Sequence, residues 1–413
     1  MILCFYDFMK ILVLNAGSSS QKSCLYEIPD ANLPKEVLQP LWEGKVDWNQ
    51  ERNEPEIEVK TATGAVLQES IDGDSRAVQV AYMLDTLTRG ATQVIRQLSE
   101  IDVVGHRVVH GGLYYRDTVV ITEDVKKAIT HLSPLAPAHN PAAVEGIEAI
   151  KKSLGTITQV AVFDTSFHST LPDAAAIYPG AYEWVEQGIR RYGFHGISHQ
   201  YCANRAAQIL NRDLTSLRLI TCHLGNGCSL AAIKNAKSVD TTMGFTPLDG
   251  LMMGSRSGSI DPGILIHLLR QSDYSVEELD YVLNKTSGLK GISGISGDLR
   301  EIMTAINQGS ERAQLAYDIY VHRLQTGIGS MLASLGGLDA LVFTAGVGEK
   351  SPGIRQAACE AWEFLGLKID PEKNQQQPVD LDIATLDSNV RILVIHTQED
   401  WEIAQQCWHL LQE

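Results

Sequence analysis

Two arginines and a histidine stand among glycines, where their side chains have room to reach a ligand. Arg107 lies in GHRVVHGG (105–112), Arg256 in GSRSGSIDPG (254–263) and His195 in RRYGFHGISH (190–199). A guanidinium presents paired donors that match carboxylate or phosphate oxygens, so such an arginine is suited to clamping an anion. For His106, His110 and His199 a hydrogen-bonded structural role is the preferred reading. His195, beside Gly196, is the imidazole whose surroundings stay open to a ligand.

Three glycine-rich turns directly follow strand-like runs: NAGSSS at 15–20, HLGNG at 223–227 and AGVGE at 345–349. Such turns aim backbone N–H groups at one point and let phosphate approach without Cβ clashes. One alone reads as a structural turn; three, each at a strand end, favour a nucleotide phosphate site. None is a Walker A loop, because Lys22 lies beyond the first turn and G-x-x-x-x-G-K-[ST] does not occur, and none fits the dinucleotide fingerprint. Asp164 in VFDTSFH and Glu399 in HTQED follow strand-like runs, where α/β proteins bind ligands, and each reads equally well as a helix N-cap. With Asn15 they would supply oxygen ligands of the kind Mg²⁺ takes.

The elements that must position these residues show period and punctuation. Residues 11–14 and 23–28 read as strands flanking the first glycine turn, and 219–224 and 229–233 flank the second. Two hairpins of this kind, each opening one half of the chain, point to a duplicated architecture. Residues 77–98 and 312–335 carry helical periodicity, 160–163, 341–344 and 390–395 are strand-like, and 400–411 form a terminal helix. Alternating strands and helices make an α/β protein. The glutamine-rich stretch 372–379 reads as a surface loop.

Composition narrows the partners. The chain has 413 residues, enough for two or three domains, with 44% apolar and 20% charged residues, the balance of a globular protein. A net charge of −16 argues against a nucleic-acid partner, which needs clustered cations. Seven scattered cysteines without a C-x-x-C pair suggest free thiols in a reducing cytoplasm rather than a zinc site or disulfide framework. No apolar run reaches the roughly 20 residues of a membrane helix. Asp7 and Lys10 interrupt the apolar start, so a signal peptide is not expected. Met9-Lys10 makes a natural beginning, with residues 1–8 an extension without function.

Nine motifs occur in order: ILVLNAGSSS, GHRVVHGG, PLAPAHNP, VFDTSFH, RRYGFHGISH, CHLGNGCS, GSRSGSIDPG, SGDLR and AGVGE. Together they resemble the successive signatures of the acetate kinase family, from Lys10 to the terminal helix. That family sits within the superfamily of acetate and sugar kinases, heat-shock 70 proteins and actin. The resemblance implies two duplicated RNase H-like, actin-like ATPase domains closing over a nucleotide cleft. Residues 1–163 with the helix 400–413 would form one domain, and 164–399 the nucleotide-binding other. It implies reversible phosphoryl transfer from ATP to acetate, giving acetyl phosphate and ADP, in a cytoplasmic homodimer without nucleic-acid or membrane partners.

Carried over residue by residue, the resemblance makes Asn15 and Glu399 ligands of Mg²⁺, with Mn²⁺ an alternative. Lys22, His223, Leu224, Gly225, Asn226 and Gly227 would line the ATP phosphates. Asp298, Leu299 and Arg300, with Gly346, Val347, Gly348, Glu349 and Lys350, would border the adenosine. Arg107 would bind the substrate carboxylate, and Val109, Ala138, His139, Phe194 and Pro247 would shape the acyl pocket. Asp164, His195 and Arg256 would be the catalytic residues. A carboxylic acid is ionised at neutral pH, so no strong base is needed, and bringing two anions together in line is the harder task.

The sequence departs from the family pattern at three places. Lys350 replaces a usual Asn, Ser259 a common Asp, and Ala138 a usual Leu in the acyl pocket. The smaller Ala138 keeps a propionate or butyrate kinase on the same scaffold as an alternative. An actin-like, ATP-switched partner-binding protein is the alternative of another class, although it has no need for Arg107, His195 and Arg256 together.

Overall fold

The computed structural model describes residues 8–17, 20–48, 55–71, 75–137, 139–271 and 274–412. The chain divides into two compact units, Met1–Ser166 with Gln398–Glu413, and Phe167–Thr397. Asp164 and Glu399, expected in the second half, therefore belong to the first. The physical reason lies in their bonds: Asp164 is ion-paired to Arg107 and its amide donates to the Val108 carbonyl (2.9 Å), while Glu399 opens the terminal helix.

The first unit is an eight-stranded sheet of β1 (Phe8–Ala16), β2 (Ser20–Pro29), β3 (Trp42–Asp47), β4 (Glu56–Thr61), β5 (Val66–Ser70), β6 (Val103–Val108), β7 (Val119–Val120) and β8 (Thr158–Phe163). Its order is β5-β4-β3-β2-β1-β6-β8-β7. β1 pairs antiparallel with β2 and parallel with β6, β6 runs parallel to β8, and β7 is antiparallel to β8. The continuous apolar run Ile11–Leu14 is what a strand covered on both faces requires. Leu12 and Leu14 pack with Val80, Met83 and Leu84 of the helix Arg76–Asp85 and Ile150 of the helix Asn140–Leu154. The terminal helix Glu399–Gln412 also lies against β1 and β6. It can do so because Gly105 has no side chain: a Cβ there would stand 2.6 Å from the Cys407 sulfur and 2.9 Å from Ile403.

The second unit is built from β9 (Arg218–Leu224), β10 (Cys228–Lys234), β11 (Lys237–Thr241), β12 (Ala340–Thr344), β13 (Leu381–Asp382) and β14 (Arg391–Val394), in the order β11-β10-β9-β12-β14-β13. Its pairing senses repeat those of β3-β2-β1-β6-β8-β7 strand for strand: antiparallel, antiparallel, parallel, parallel, antiparallel. The duplication inferred from the two hairpins is thus present in full, and β4 and β5 extend only the first sheet.

Several local expectations change. The helical pattern over 77–98 is realised only as Arg76–Asp85, because Thr86 turns its hydroxyl back to the Met83 carbonyl (2.8 Å) and Gly90 adopts a φ of 76°. The sequence 345–349, expected as a glycine turn, is instead the short helix Ala345–Lys350, entered through Ala345 at a φ of 62°. Within the presumed glutamine loop, Pro371–Gln375 is helical and Asn374 is buried. Strands β3 and β4, which the sequence reading missed, alternate inward and outward residues with the period of two that a half-covered strand shows. Residues 1–7, the greater part of the expected N-terminal extension, lie outside the described residues.

His106, on β6, is fully packed and bonds through Nε2 to Gln159 Oε1 on β8 (2.8 Å). Burial lowers its pKa to about 4 despite that bond. The unfolded chain then takes up a proton below the ordinary histidine value that the folded protein refuses, so stability falls as pH drops from about 6.5 toward 4. Glu402, raised by burial to about 7, acts in the opposite sense as pH rises. Denaturant unfolding across this window should show His106→Gln losing less stability on acidification than the parent, by about 3 kcal/mol. Parallel pH curves for the two proteins would remove His106 from the balance.

Candidate active site

In the first unit the parallel strands deliver polar side chains at their carboxyl ends, the usual place for ligands in such sheets. Asn15 is the penultimate residue of β1, Arg107 the penultimate residue of β6, and Asp164 follows β8. Arg107, which its glycine-rich surroundings present as a loop residue, is therefore held on a strand. Its Nη2 donates to Asp164 Oδ2 (2.5 Å) and its Nη1 reaches Asn15 Oδ1 at 3.5 Å. Asn15 Nδ2 donates to Asp400 Oδ1 (2.8 Å), a carboxylate that the sequence motifs did not single out although it neighbours Glu399.

The electrostatics of this cluster are lopsided. Burial works against the Arg107 charge, but Asp164, Glu399 and Asp400 outweigh it and hold its pKa above the usual guanidinium value. Glu399 is raised, first by burial and then by its acidic neighbours, with Arg107 and Asn15 opposing. Arg107 Nε and Asp164 Oδ1 are buried without a hydrogen-bond partner among the described residues. A surplus of carboxylates and an uncommitted carboxylate oxygen suit a bound cation, and an uncommitted guanidinium N–H suits a bound anion.

The chain after β6 is fixed by Asn140, whose Oδ1 accepts from the His110 amide (3.1 Å) and whose Nδ2 donates to the His110 carbonyl (3.2 Å). Val109 is buried just before it, and His139 stands at the N-cap position of the helix Asn140–Leu154 without a side-chain capping bond. Ala138 lies outside the described residues. Lys22 is exposed on β2, directly across the hairpin from Asn15. Ser18 and Ser19 of the first glycine turn are also outside the described residues; beside them, the Gly17 amide donates to the Ser20 carbonyl (2.8 Å).

In the second unit the β9–β10 hairpin turns through Gly225, Asn226 and Gly227, closed by the Gly225 amide on the Gly227 carbonyl (3.0 Å). A Cβ on Gly227 would lie 3.4 Å from both Arg256 Nη1 and the His195 ring, so these three residues converge. His195 sits in the left-handed region (φ 57°, ψ 26°) just before the helix Gly196–Ile209. That strain persists where surrounding bonds over-determine it. Here His168 Nε2 donates to the carbonyl of buried Phe194 (3.1 Å) and accepts through Nδ1 from Ser238 (2.7 Å). The His195 ring stacks on His223, centroids 4.1 Å apart, and His223 Nδ1 bonds Ser198 Oγ (2.8 Å).

Arg256 contrasts with Arg107. It touches the Pro247 carbonyl (3.3 Å) and the Met253 sulfur (3.9 Å), no carboxylate among the described residues pairs with it, and burial lowers its pKa. Ser259 donates to Asp249 Oδ1 (2.5 Å) and accepts from the Gly250 amide (2.9 Å), so an Asp at 259 would face a second carboxylate. That accounts for the serine.

The expected adenosine residues make other bonds. Asp298 caps the helix Leu299–Asn307 and grips Arg300 (2.5 Å). Glu349 accepts from His396 Nδ1 (2.6 Å) and the Thr397 amide (3.3 Å); burial pushes its carboxyl up, and His396 more than offsets this. Arg355, which the sequence reading missed, is wholly buried and donates to the carbonyls of Gly348 (2.9 Å), Glu349 (2.7 Å) and Asn374 (2.7 Å) and to Asn374 Oδ1 (2.7 Å). It pins the short helix Ala345–Lys350. Only contacts far along the chain reveal it, for nothing in its local sequence marks it.

Two α/β units of identical pairing order, one with a carboxylate–arginine cluster and one with a glycine hairpin beside an uncompensated arginine, define a duplicated actin-like phosphotransferase. The chain matches the acetokinase family model over residues 10–405 and belongs to that family. It is 78% identical to an acetate kinase of Trichormus variabilis, covering 98% of this chain and all of the relative, and 62% identical to that of Gloeobacter violaceus over 98% and 100%. Among solved structures, acetate kinase from Porphyromonas gingivalis superposes with a TM-score of 0.88 at 40% identity, covering 98% of this chain and 100% of that one. A propionate kinase from Francisella tularensis reaches 0.86 at 38%, covering 96% and 98%.

The opposite settings of the two arginines have a measurable consequence. Arg107→Ala should cost about 3–5 kcal/mol in urea unfolding, since it leaves Asp164 buried and unpaired. Arg256→Ala removes a desolvated cation without a counter-ion and should change stability by less than about 1 kcal/mol. Equal losses in the two variants would contradict this account of their surroundings.

Proposed function

We infer that this chain transfers the γ-phosphoryl group of ATP to a carboxylate oxygen of acetate, in both directions, without a phosphoenzyme. The observation that carries this is Arg256: a largely buried guanidinium with no carboxylate partner, beside His195 and a phosphate-type hairpin. A partly desolvated guanidinium without a counter-ion gains most when an anion binds it. Arg256 and a His195 N–H would stabilise charge on the transferring group, while Lys22 and the turn from His223 to Gly227 line the phosphates. Arg107 offers its uncommitted donors to the acetate carboxylate, and Asp164 orients Arg107 rather than acting as a base. Asp298, Leu299 and Arg300 and the helix Ala345–Lys350 would border the adenosine.

Asn15 and Glu399 would hold Mg²⁺, or Mn²⁺ in its place, which when bound supplies charge neutralisation at the phosphates. Six described cysteines are buried free thiols, in keeping with a reducing compartment such as the cytoplasm.

The direct test is a hydroxamate trap with ATP, Mg²⁺ and acetate, which captures acetyl phosphate as it forms. Arg256→Ala and His195→Ala should lower kcat by roughly 10²–10³-fold. Wild-type turnover in both would overturn the assignment. The same assay with propionate addresses Ala138, since one methylene in an apolar pocket is worth roughly 10–200-fold in discrimination. Ala138→Leu should raise the acetate preference.

We also propose a homodimer through the helix Pro262–Gln271. None of its residues is buried; Ile266 and Leu269, three apart and so on one face, stand exposed, as does Ile264. A second copy of this face would cover an apolar surface that water otherwise meets. Light scattering should give twice the 45.3 kDa chain mass, and Ile266→Asp should shift it to the monomer. A variant that stays dimeric would place the interface elsewhere.

A further inference from the structure

The second unit holds a hydrogen-bond chain that ends on His195. Thr221 Oγ1 lies 2.7 Å from His199 Nδ1, His199 Nε2 lies 2.8 Å from Ser229 Oγ, and Ser229 Oγ lies 2.9 Å from His195 Nδ1. The backbone brings these groups together. Thr221 on β9 pairs with Ala231, and His223 with Ser229 on β10, so Thr221, His223 and Ser229 share one sheet face. His195 and His199 are four residues apart, on successive turns at the start of the helix Gly196–Ile209, which packs against β9. Thr221, His199 and Ser229 are fully buried.

Each hydroxyl carries one proton, and each neutral imidazole carries one N–H and one bare nitrogen. A hydroxyl oxygen can also accept twice, so three arrangements make all three bonds. In the first, His195 Nδ1 and His199 Nε2 both donate to Ser229, and the Ser229 proton is left without an acceptor. The remaining two run in a single direction along the chain. In one, His195 donates from Nδ1, Ser229 donates to His199, and His199 donates to Thr221. The Thr221 proton is then left without an acceptor, because His199 is the sole side-chain hydrogen-bond partner of its hydroxyl among the described residues. Buried hydroxyl protons are rarely abandoned in this way. In the other, Thr221 donates to His199 Nδ1, His199 Nε2–H to Ser229, and Ser229 to His195 Nδ1, and every proton is used. Burial, and then the neighbouring His168 and His223, keep His199 neutral, as this direction requires.

We propose that Thr221, His199 and Ser229 form a one-directional chain that fixes His195 as the tautomer carrying its proton on Nε2. They are positioning residues for the donor that meets the transferring phosphoryl group. The tautomer follows from the chain itself, and its use in catalysis rests on the function proposed above. The Nε2 atom lies 3.5 Å from the Cβ position of Gly227, on the side where Arg256 also approaches. Thr221 thus acts on the chemistry through two intervening side chains, without touching substrate.

The experiment uses Thr221→Val, which keeps the shape and removes the proton, and Thr221→Ser, which keeps the hydroxyl. Imidazole ¹⁵N shifts report directly which ring nitrogen is protonated. In the parent His195 should be protonated on Nε2 and bare on Nδ1. Thr221→Val should mix the tautomers and lower kcat roughly tenfold with KM for ATP changed less than about twofold, while Thr221→Ser restores both readouts. A bare Nε2 in the parent overturns the proposal whatever the kinetics, as does a tautomer indifferent to Thr221→Val. A tautomer that follows position 221 with kcat unmoved would overturn the positioning role and, separately, the place of His195 in phosphoryl transfer.

Discussion

A guanidinium removed from water must recover its solvation from the protein, and three arginines of this chain do so in three ways. Arg107 is ringed by carboxylates, with Asp164 in direct contact and Glu399 and Asp400 close enough to hold its charge. Arg355 is buried among carbonyl and amide oxygens. Arg256 is given only a carbonyl and a sulfur. Holding a charge partly out of water with no counter-ion is unfavourable, so of the three Arg256 has the most to gain from a bound anion.

The first setting depends on parallel strands. β1, β6 and β8 run side by side, so their carboxyl ends place Asn15, Arg107 and Asp164 at one level. The terminal helix adds Glu399 and Asp400, and over β6 it packs on Gly105. A side chain there would press on Cys407 and Ile403 of the same helix. Packing and electrostatics are therefore coupled at one glycine.

The setting of Arg256 depends on stiffness. His195 is held in a left-handed backbone conformation, its preceding carbonyl is tied by His168, and its ring is stacked on His223. Gly227 leaves the space into which both His195 and Arg256 approach. Groups fixed before a ligand arrives need not reorganise when charge develops, which is where preorganised donors gain their effect. The short helix Ala345–Lys350, locked by Arg355, shows the same economy of motion.

The sequence by itself determined the two glycine hairpins, the buried strands beside them, the duplication and the residue types suited to anions. Those features are local, written in period, glycine placement and apolar runs that neighbouring residues share. Only the tertiary structure decided that Asp164 and Glu399 side with Arg107, that 345–350 is helical, and that Thr221, His199 and Ser229 link in a hydrogen-bonded chain to His195. Asn15 meets Asp400 across 385 positions and Arg107 meets Asp164 across 57. Such partners are chosen by strand order and by which face a residue takes. A side chain's neighbours in space, and hence its charge and proton, are set by the packed whole and not by the residues beside it in the chain.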